Sequence, residues 1–262
     1  VYKPPFSHVW HVGQFPTKLM TVARSWDFGY HHPVVTFSQM YKCPQRSTHL
    51  TLLREYLPED VEAEDLADGV LERSKLWFPG HSPSLFVDCG DAAGAAVSDK
   101  GPGPIIRLQQ PPWSLRFRYQ HVRDVDPGLA EVRKLLRTKC ACGHFLLEVD
   151  RECPEVIEMF NGGYHFPKDR SGALKVDAKP AKDGYYDNIA DSVRYVVWVL
   201  YRVARQDEGF MAELERWQGP PADANEMPNI FGWMGDWVGG EVDPDVLEQA
   251  HEVARRTGLR EE

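Results

Sequence analysis

The chain of 262 residues carries a formal net charge of -9, so no overall positive field draws it onto nucleic acid or an anionic membrane, and a nucleic-acid partner would need locally placed Lys and Arg. An apolar share of 42% is enough for a sizeable buried core, and no apolar run reaches membrane-spanning length. Five cysteines, an odd number in a long chain, fit a reducing compartment with free thiols better than a disulfide framework. The first residue is Val, and no charged-then-apolar leader opens the chain, which leads us to expect an excised piece.

After an opening rich in Pro, His and aromatics, "KLMTVARSWDF" and "VVTFSQMY" are β-branched and aromatic runs joined by "GYHHP", which predicts an antiparallel pair. A third run follows at "STHLTLL". The acidic first turn, helical apolar spacing and closing Pro of "LPEDVEAEDLADGVLERSKLWFP" predict a helix covering the sheet. "SLFVD" reads as a short strand entering "CGDAAGAAVSDKGPGP", whose glycines and prolines predict no regular structure at its far end. "LRFRYQHV" is another strand candidate. "DPGLAEVRKLL" opens a helix with Pro at the first helical position, "HFLLEVD" is a buried strand and "CPEVIEMF" a short helix. In "YYDNIADSVRYVVWVLYRVAR" the residues Ile189, Val193, Val196, Leu200 and Val203 make one apolar stripe that should pack on the sheet. Residues 207–262 mix Gly, Pro, Trp and acid and read as an appendage. Three strands first, then alternating strands and helices, predict an α/β fold with a mixed sheet flanked by helices on both faces.

Three places bring an acid to the end of an apolar element: Asp27 after the first strand, Asp88 and Asp91 in "LFVDCGDAAG", and Asp187 and Asp191 in "DNIAD". An Asp before a glycine is commonly a turn residue, and acids in the first turn of a helix are stabilised by its dipole. The four-residue step from Asp187 to Asp191 nevertheless puts both on one side of the helix, opposite the apolar stripe, where they can line a cleft. Carboxylates gathered from distant segments repel unless a cation compensates them. Mg2+ and Mn2+ prefer oxygen ligands, and a pair of such ions clamps both oxygens of a phosphoryl transfer.

The ordered series "RSWDFGYHHPVV", "VDCGDAAG", "DVDPGLAEVRKLL", "FLLEVDRECPEVIEMFNGGYHFPKD" and "DGYYDNIADSVRY" resembles the nuclease domain of the large terminase subunit of tailed bacteriophages, over roughly residues 20 to 205. The resemblance implies a ribonuclease H-like fold and two Mg2+ or Mn2+ ions on acidic residues, with cleavage of concatemeric double-stranded DNA as the activity. Position by position it implies Asp27 as the first-strand aspartate bridging the ions, Asp191 as the last-helix aspartate, and Asp91 as the second acid. Asp88 stays close behind Asp91, and Asp187 is a further candidate ligand. Two departures stand out: Asn188 and Ala92 occupy positions where relatives carry His and Pro. Asn188 can support the site by hydrogen bonding but cannot transfer a proton as His would. The resemblance also implies an ATPase domain upstream in the full-length protein, since no phosphate-loop spacing occurs here. Residues 21–206 are then the nuclease domain and 207–262 a C-terminal appendage, and the Pro content and missing start Met of residues 1–20 lead us to expect a linker remnant there. The implied partners are double-stranded DNA, the ATPase, the portal and the small terminase subunit, with no membrane. The implied place is the host cytoplasm at the procapsid portal.

An acidic domain binds a duplex only where cations are concentrated. Arg170, Lys175, Lys179, Lys182 and Arg194 form the expected phosphate-tracking flank. "CACGH" with Cys153 offers Cys140, Cys142, His144 and Cys153 as a zinc set, although Cys-x-Cys is not the usual knuckle. His31 and His32 beside Asp27 are further candidates for metal or phosphate, one at most, because adjacent residues point apart. Trp217, Trp233 and Trp237 of the appendage are expected to fold back on the core. Two other readings stay open: another ribonuclease H-like enzyme, such as a resolvase or transposase, and a non-catalytic docking module whose aspartates are turn and helix-end residues.

Overall fold

The structure, a computed structural model, describes residues 1–209 except 3, 4, 30, 99, 100, 121–124, 169–171, 173–178, 207 and 208. A short helix α1 (His8–His11) leads into β1 (Val12–Gly13). Then β2 (Val22–Asp27), β3 (Val34–Lys42) and β4 (Thr48–Tyr56) run back and forth, with β3 antiparallel to both neighbours. Helix α2 (Ala63–Trp77) buries Leu66, Ala67, Val70 and Ser74, the three- and four-residue steps of a single face. β5 (Phe86–Asp91) follows, then the two-residue pair β6 (Val97–Ser98) and β7 (Gly101–Pro102), α3 (Pro104–Leu108) and β8 (Phe117–Gln120). Helix α4 (Val125–Arg137), β9 (Leu147–Asp150) and α5 (Pro154–Glu158) complete the alternation. The last long helix is α6 (Tyr186–Tyr195), a wider π turn at Val196–Tyr201 and α7 (Arg202–Gln206).

The main sheet has seven strands in the order β1-β9-β4-β3-β2-β5-β8, parallel throughout except at β3. The five strands from β4 to the edge at β8, β4-β3-β2-β5-β8, are a three-strand meander continued by two parallel strands on the side of the first, which is the ribonuclease H-like arrangement. The fold class expected from the sequence is therefore the one found.

Alternation along the strands divides the interior in two. Val22 and Trp26 of β2 face the core under α2 and α3 with Phe37, Phe86 and Ile105. Ala23 faces the core under α4 and α6 with Val87, Cys89, Leu129 and Val193. With both faces covered, β2 is buried almost from end to end, Arg24 and Ser25 included, and these polar side chains are satisfied by Asp88 and Ser192.

Two expectations need correction. The far end of the loop after β5 carries β6, β7 and α3, because Pro104 sits at the start of a helix, where its missing N–H costs nothing. Residues 1–20 do not behave as a linker: Tyr2 and Phe6 are buried against Phe160, with ring centroids at 5.0 Å in each case. β1 extends the sheet beside β9, and His11 Nε2 lies 2.8 Å from the Leu136 carbonyl. The chain divides into two units, Val1–Gln218 and Gly219–Glu262. The second, like Trp217, Trp233 and Trp237, lies outside the described residues. All five cysteines are free. Among the described residues, no helix is long and apolar enough to cross a membrane.

Candidate active site

Parallel pairing of β2 with β5 brings Trp26 opposite Gly90, so the next residues, Asp27 and Asp91, end adjacent strands at the same edge of the sheet. Neighbouring strands lie about 4.8 Å apart, and side chains two apart share a face. Asp27 shares its face with Ala23 and Ser25, and Asp91 shares its face with Val87 and Cys89; this is the face covered by α6.

Helix α6 is locked to that face by polar bonds rather than by packing alone. The Ser25 hydroxyl donates to the Ser192 carbonyl at 2.6 Å, the Ser192 hydroxyl donates to the Ser25 carbonyl at 2.8 Å, and Thr36 Oγ1 lies 2.8 Å from Ser192 Oγ. Fully paired polar groups in a low-dielectric interior fix one geometry and are costly to break. The consequence is that Asp191, next in chain to Ser192, is held over the end of β2.

The acids also act on one another electrostatically. Burial and then the Asp191 carboxylate push the Asp27 carboxyl up to about 7, against the opposing bond from the Gly29 N–H at 3.1 Å and the more distant Arg194; Asp187 adds to the rise. The Tyr195 hydroxyl, raised chiefly by burial, lies in the field of Asp27, Asp191 and Asp91 together. Arg194 bonds the Asp191 Oδ1 through Nε at 3.1 Å and a terminal nitrogen at 2.7 Å. Asp91 accepts the Ala93 N–H at 3.1 Å.

Asp187 is turned toward the start of its own helix. It accepts the Gly184 N–H at 2.7 Å, and burial followed by the neighbouring Asp183 raises its carboxyl. Asn188 donates to the carbonyls of His32 and Gly184, both at 2.9 Å, tying the β2–β3 loop to α6. A Cβ on Gly29 would come within 2.4 Å of the Asn188 Nδ2, so a side chain there would push this amide away from the carbonyls it holds. Asn188 thus supports the loop that carries Asp27.

Asp88 is corrected as a metal candidate. It lies on the opposite face of β5, is fully buried, and accepts from Arg24 Nε and a terminal Arg24 nitrogen at 2.7 Å each and from Trp26 Nε1 at 2.7 Å. Arg194 is corrected as a phosphate contact: its guanidinium is buried on Asp191. Lys179 and Lys182 are exposed ahead of α6, whereas Arg170 and Lys175 lie outside the described residues. His31 pairs with Asp60 at 2.7 Å, and the His32 ring packs edge-on against Tyr185 at 5.2 Å. The zinc set weighed from the sequence does not assemble: Cys153 is buried in the core at the start of α5, and His144 Nδ1 lies 3.1 Å from Glu148.

The donor set fits divalent ions. Three carboxylates come from two strand ends and one helix, and among the described residues the cation bonded to them is Arg194, on one oxygen. Oxygen-only donors of net negative charge are what Mg2+ and Mn2+ take.

No family model matches the chain, and no curated protein matches it. Among solved structures the chain is similar to the crystal structure of the g2p (large terminase) nuclease domain from the bacteriophage SPP1 with bound Mn. The TM-score is 0.48 at 12% identity, over 72% of this chain and 94% of that one.

Proposed function

We propose that this chain is a metal-dependent endonuclease that cuts concatemeric double-stranded viral DNA during genome packaging, by two-metal-ion hydrolysis of a phosphodiester bond. What supports the reading is that β2 and β5 end side by side in Asp27 and Asp91 on the face covered by α6, whose Asp191 raises the Asp27 carboxyl. The ordered sequence motifs that end in "DNIADSVRY" agree with it.

Asp27, Asp91 and Asp191 would hold two Mg2+ or Mn2+ ions, which supply an activated water and charge compensation for the leaving oxygen. The rest belongs to the protein. Ser25, Thr36 and Ser192 set the distance between strand and helix, Arg194 restrains Asp191, and Asn188 steadies the loop after Asp27. Lys179 and Lys182, exposed ahead of α6, would meet phosphates on the approach to that helix, a modest patch that predicts weak DNA affinity for the domain by itself. In the full machine an ATPase domain, the portal and the small terminase subunit would present the DNA, at the procapsid portal in the host cytoplasm.

Plasmid nicking with Mn2+ by wild type and Asp27→Ala, each checked for folding by circular dichroism, tests the proposal. Wild type is expected to nick and the variant to be inert. If both are inert while folded, a docking role replaces the nuclease. A strong preference for branched over linear duplex would instead assign a resolvase-type enzyme.

A further inference from the structure

At the end of the sheet away from the carboxylates, four side chains suited to a softer metal meet. Cys43 follows β3, His49 lies at the start of β4, and Cys140 and Cys142 belong to the connection from α4 to β9. One ligand atom from each lies within 4.8 Å of every other. We propose that these residues form a Cys3His site for a structural zinc ion.

The distances suit the ion. Zn–S bonds of about 2.3 Å in a tetrahedron place sulfurs about 3.8 Å apart. Cys43 Sγ and Cys140 Sγ are 3.6 Å apart, and Cys142 Sγ is 3.5 Å from His49 Nε2. Bringing the widest separation into the tetrahedron takes a side-chain adjustment of about 1 Å. The imidazole is already oriented: His49 Nδ1 lies 2.9 Å from the Phe145 carbonyl, where its N–H donates, and this leaves the Nε2 lone pair for the metal.

The backbone supplies a second, independent indication, since both cysteine loops have the same construction. In one, the Cys43 N–H bonds the Ser47 carbonyl at 3.0 Å, the Arg46 N–H returns to the Cys43 carbonyl at 2.8 Å, and Arg46 is left-handed at φ 60. In the other, the Cys140 N–H bonds the His144 carbonyl at 2.8 Å, the Gly143 N–H returns to the Cys140 carbonyl at 2.9 Å, and Gly143 is left-handed at φ 95. Twin tight turns each aim a leading cysteine at the same point. The Cys142 N–H also donates to Cys140 Sγ at 3.5 Å, a bond that favours a thiolate.

Four protein donors complete a tetrahedron and leave no place for a substrate, so the ion's role is to staple. It joins the β3–β4 hairpin to the segment entering β9, which pairs with β4.

The test uses the whole chain, purified reduced and without chelator. Elemental analysis is expected to find about one zinc per chain, Cys142→Ser to lower that content at least tenfold, and Asp27→Asn to leave it unchanged. Because a cysteine variant can fail to fold, Co2+ is also titrated into reduced, zinc-stripped wild type, where thiolate-to-cobalt absorption with tetrahedral visible bands is expected. Zinc at background level together with no such bands overturns the site, and so does recovery of a Cys43–Cys140 disulfide in protein kept reduced.

Discussion

Arg194 places two nitrogens on a single oxygen of Asp191, Nε at 3.1 Å and a terminal nitrogen at 2.7 Å, and so leaves the second carboxylate oxygen outside that grip. The guanidinium is buried, and its aliphatic stem passes over Gly128 of α4, where a Cβ would lie 2.5 Å from Arg194 Cδ. Gly128→Ala and Arg194→Met should therefore act alike, by releasing Asp191. Both are expected to lower nicking by about tenfold or more and to raise the Mn2+ needed for half-maximal rate, as losses of groups that orient a ligand do. A Mn2+ titration of nicking checks this; an unchanged Mn2+ requirement would count against the positioning role.

Two carboxyls give the metal-free protein a definite pH response. Asp27 is pushed from 3.8 to about 7 and Glu55, which caps α5 through the N–H groups of Glu155 and Val156, from 4.5 to about 7, in both cases mainly by burial. Folded pKa values raised above the unfolded ones mean that these two groups hold more protons in the folded chain, so their contribution to stability is fullest below about pH 4 and is lost as pH rises through about 7. The melting temperature of metal-free protein should drop between about pH 5 and pH 8, and Asp27→Asn should reduce that drop. Mn2+ should raise it at the higher pH far more than at the lower. Calorimetry with and without chelator measures each.

Asp88 and Asp91, three residues apart, should fail in opposite ways. Asp88→Ala strips the partner from a buried Arg24 and from Trp26 Nε1, and should cost roughly 3–5 kcal/mol of stability. Asp91→Asn keeps the bond from the Ala93 N–H and should melt near wild type while losing nicking. Denaturant unfolding beside the nicking assay separates the two.

Ser192→Ala removes the hydroxyl that joins Thr36 to the Ser25 carbonyl. The buried groups left behind predict a loss of about 1–3 kcal/mol. A lower kcat with little change in KM is expected too, because Asp191 loses its register over β2 while the surface that meets DNA is untouched.

Much of the architecture was legible in the sequence because local pattern carries it: three β-branched and aromatic runs, then strands and helices in turn. Asp27 and Asp191 could be picked out as acids ending apolar elements. Alternation alone could not choose between Asp88 and Asp91, since it says that they face apart but not which face α6 covers; it was the resemblance that favoured Asp91. Arg194 was misplaced because a cation near lysines in sequence looks solvent-facing until its carboxylate partner is known. Tyr2 and Phe6 sit among prolines and histidines, and only the tertiary contact with Phe160 reveals them as core. Cys43 was passed over for a simpler reason: Cys140 lies 97 positions away along the chain.

Strand β3 starts opposite Asp27 and runs nine residues to Lys42, one short of Cys43, a span of about 26 Å. That one ribbon has an oxygen-rich terminus and a sulfur-rich terminus, too far apart to exchange occupants directly. A graded chelator series should accordingly split into two events, an early one that silences cutting while the protein still melts cooperatively, and a later one that loosens the hairpin.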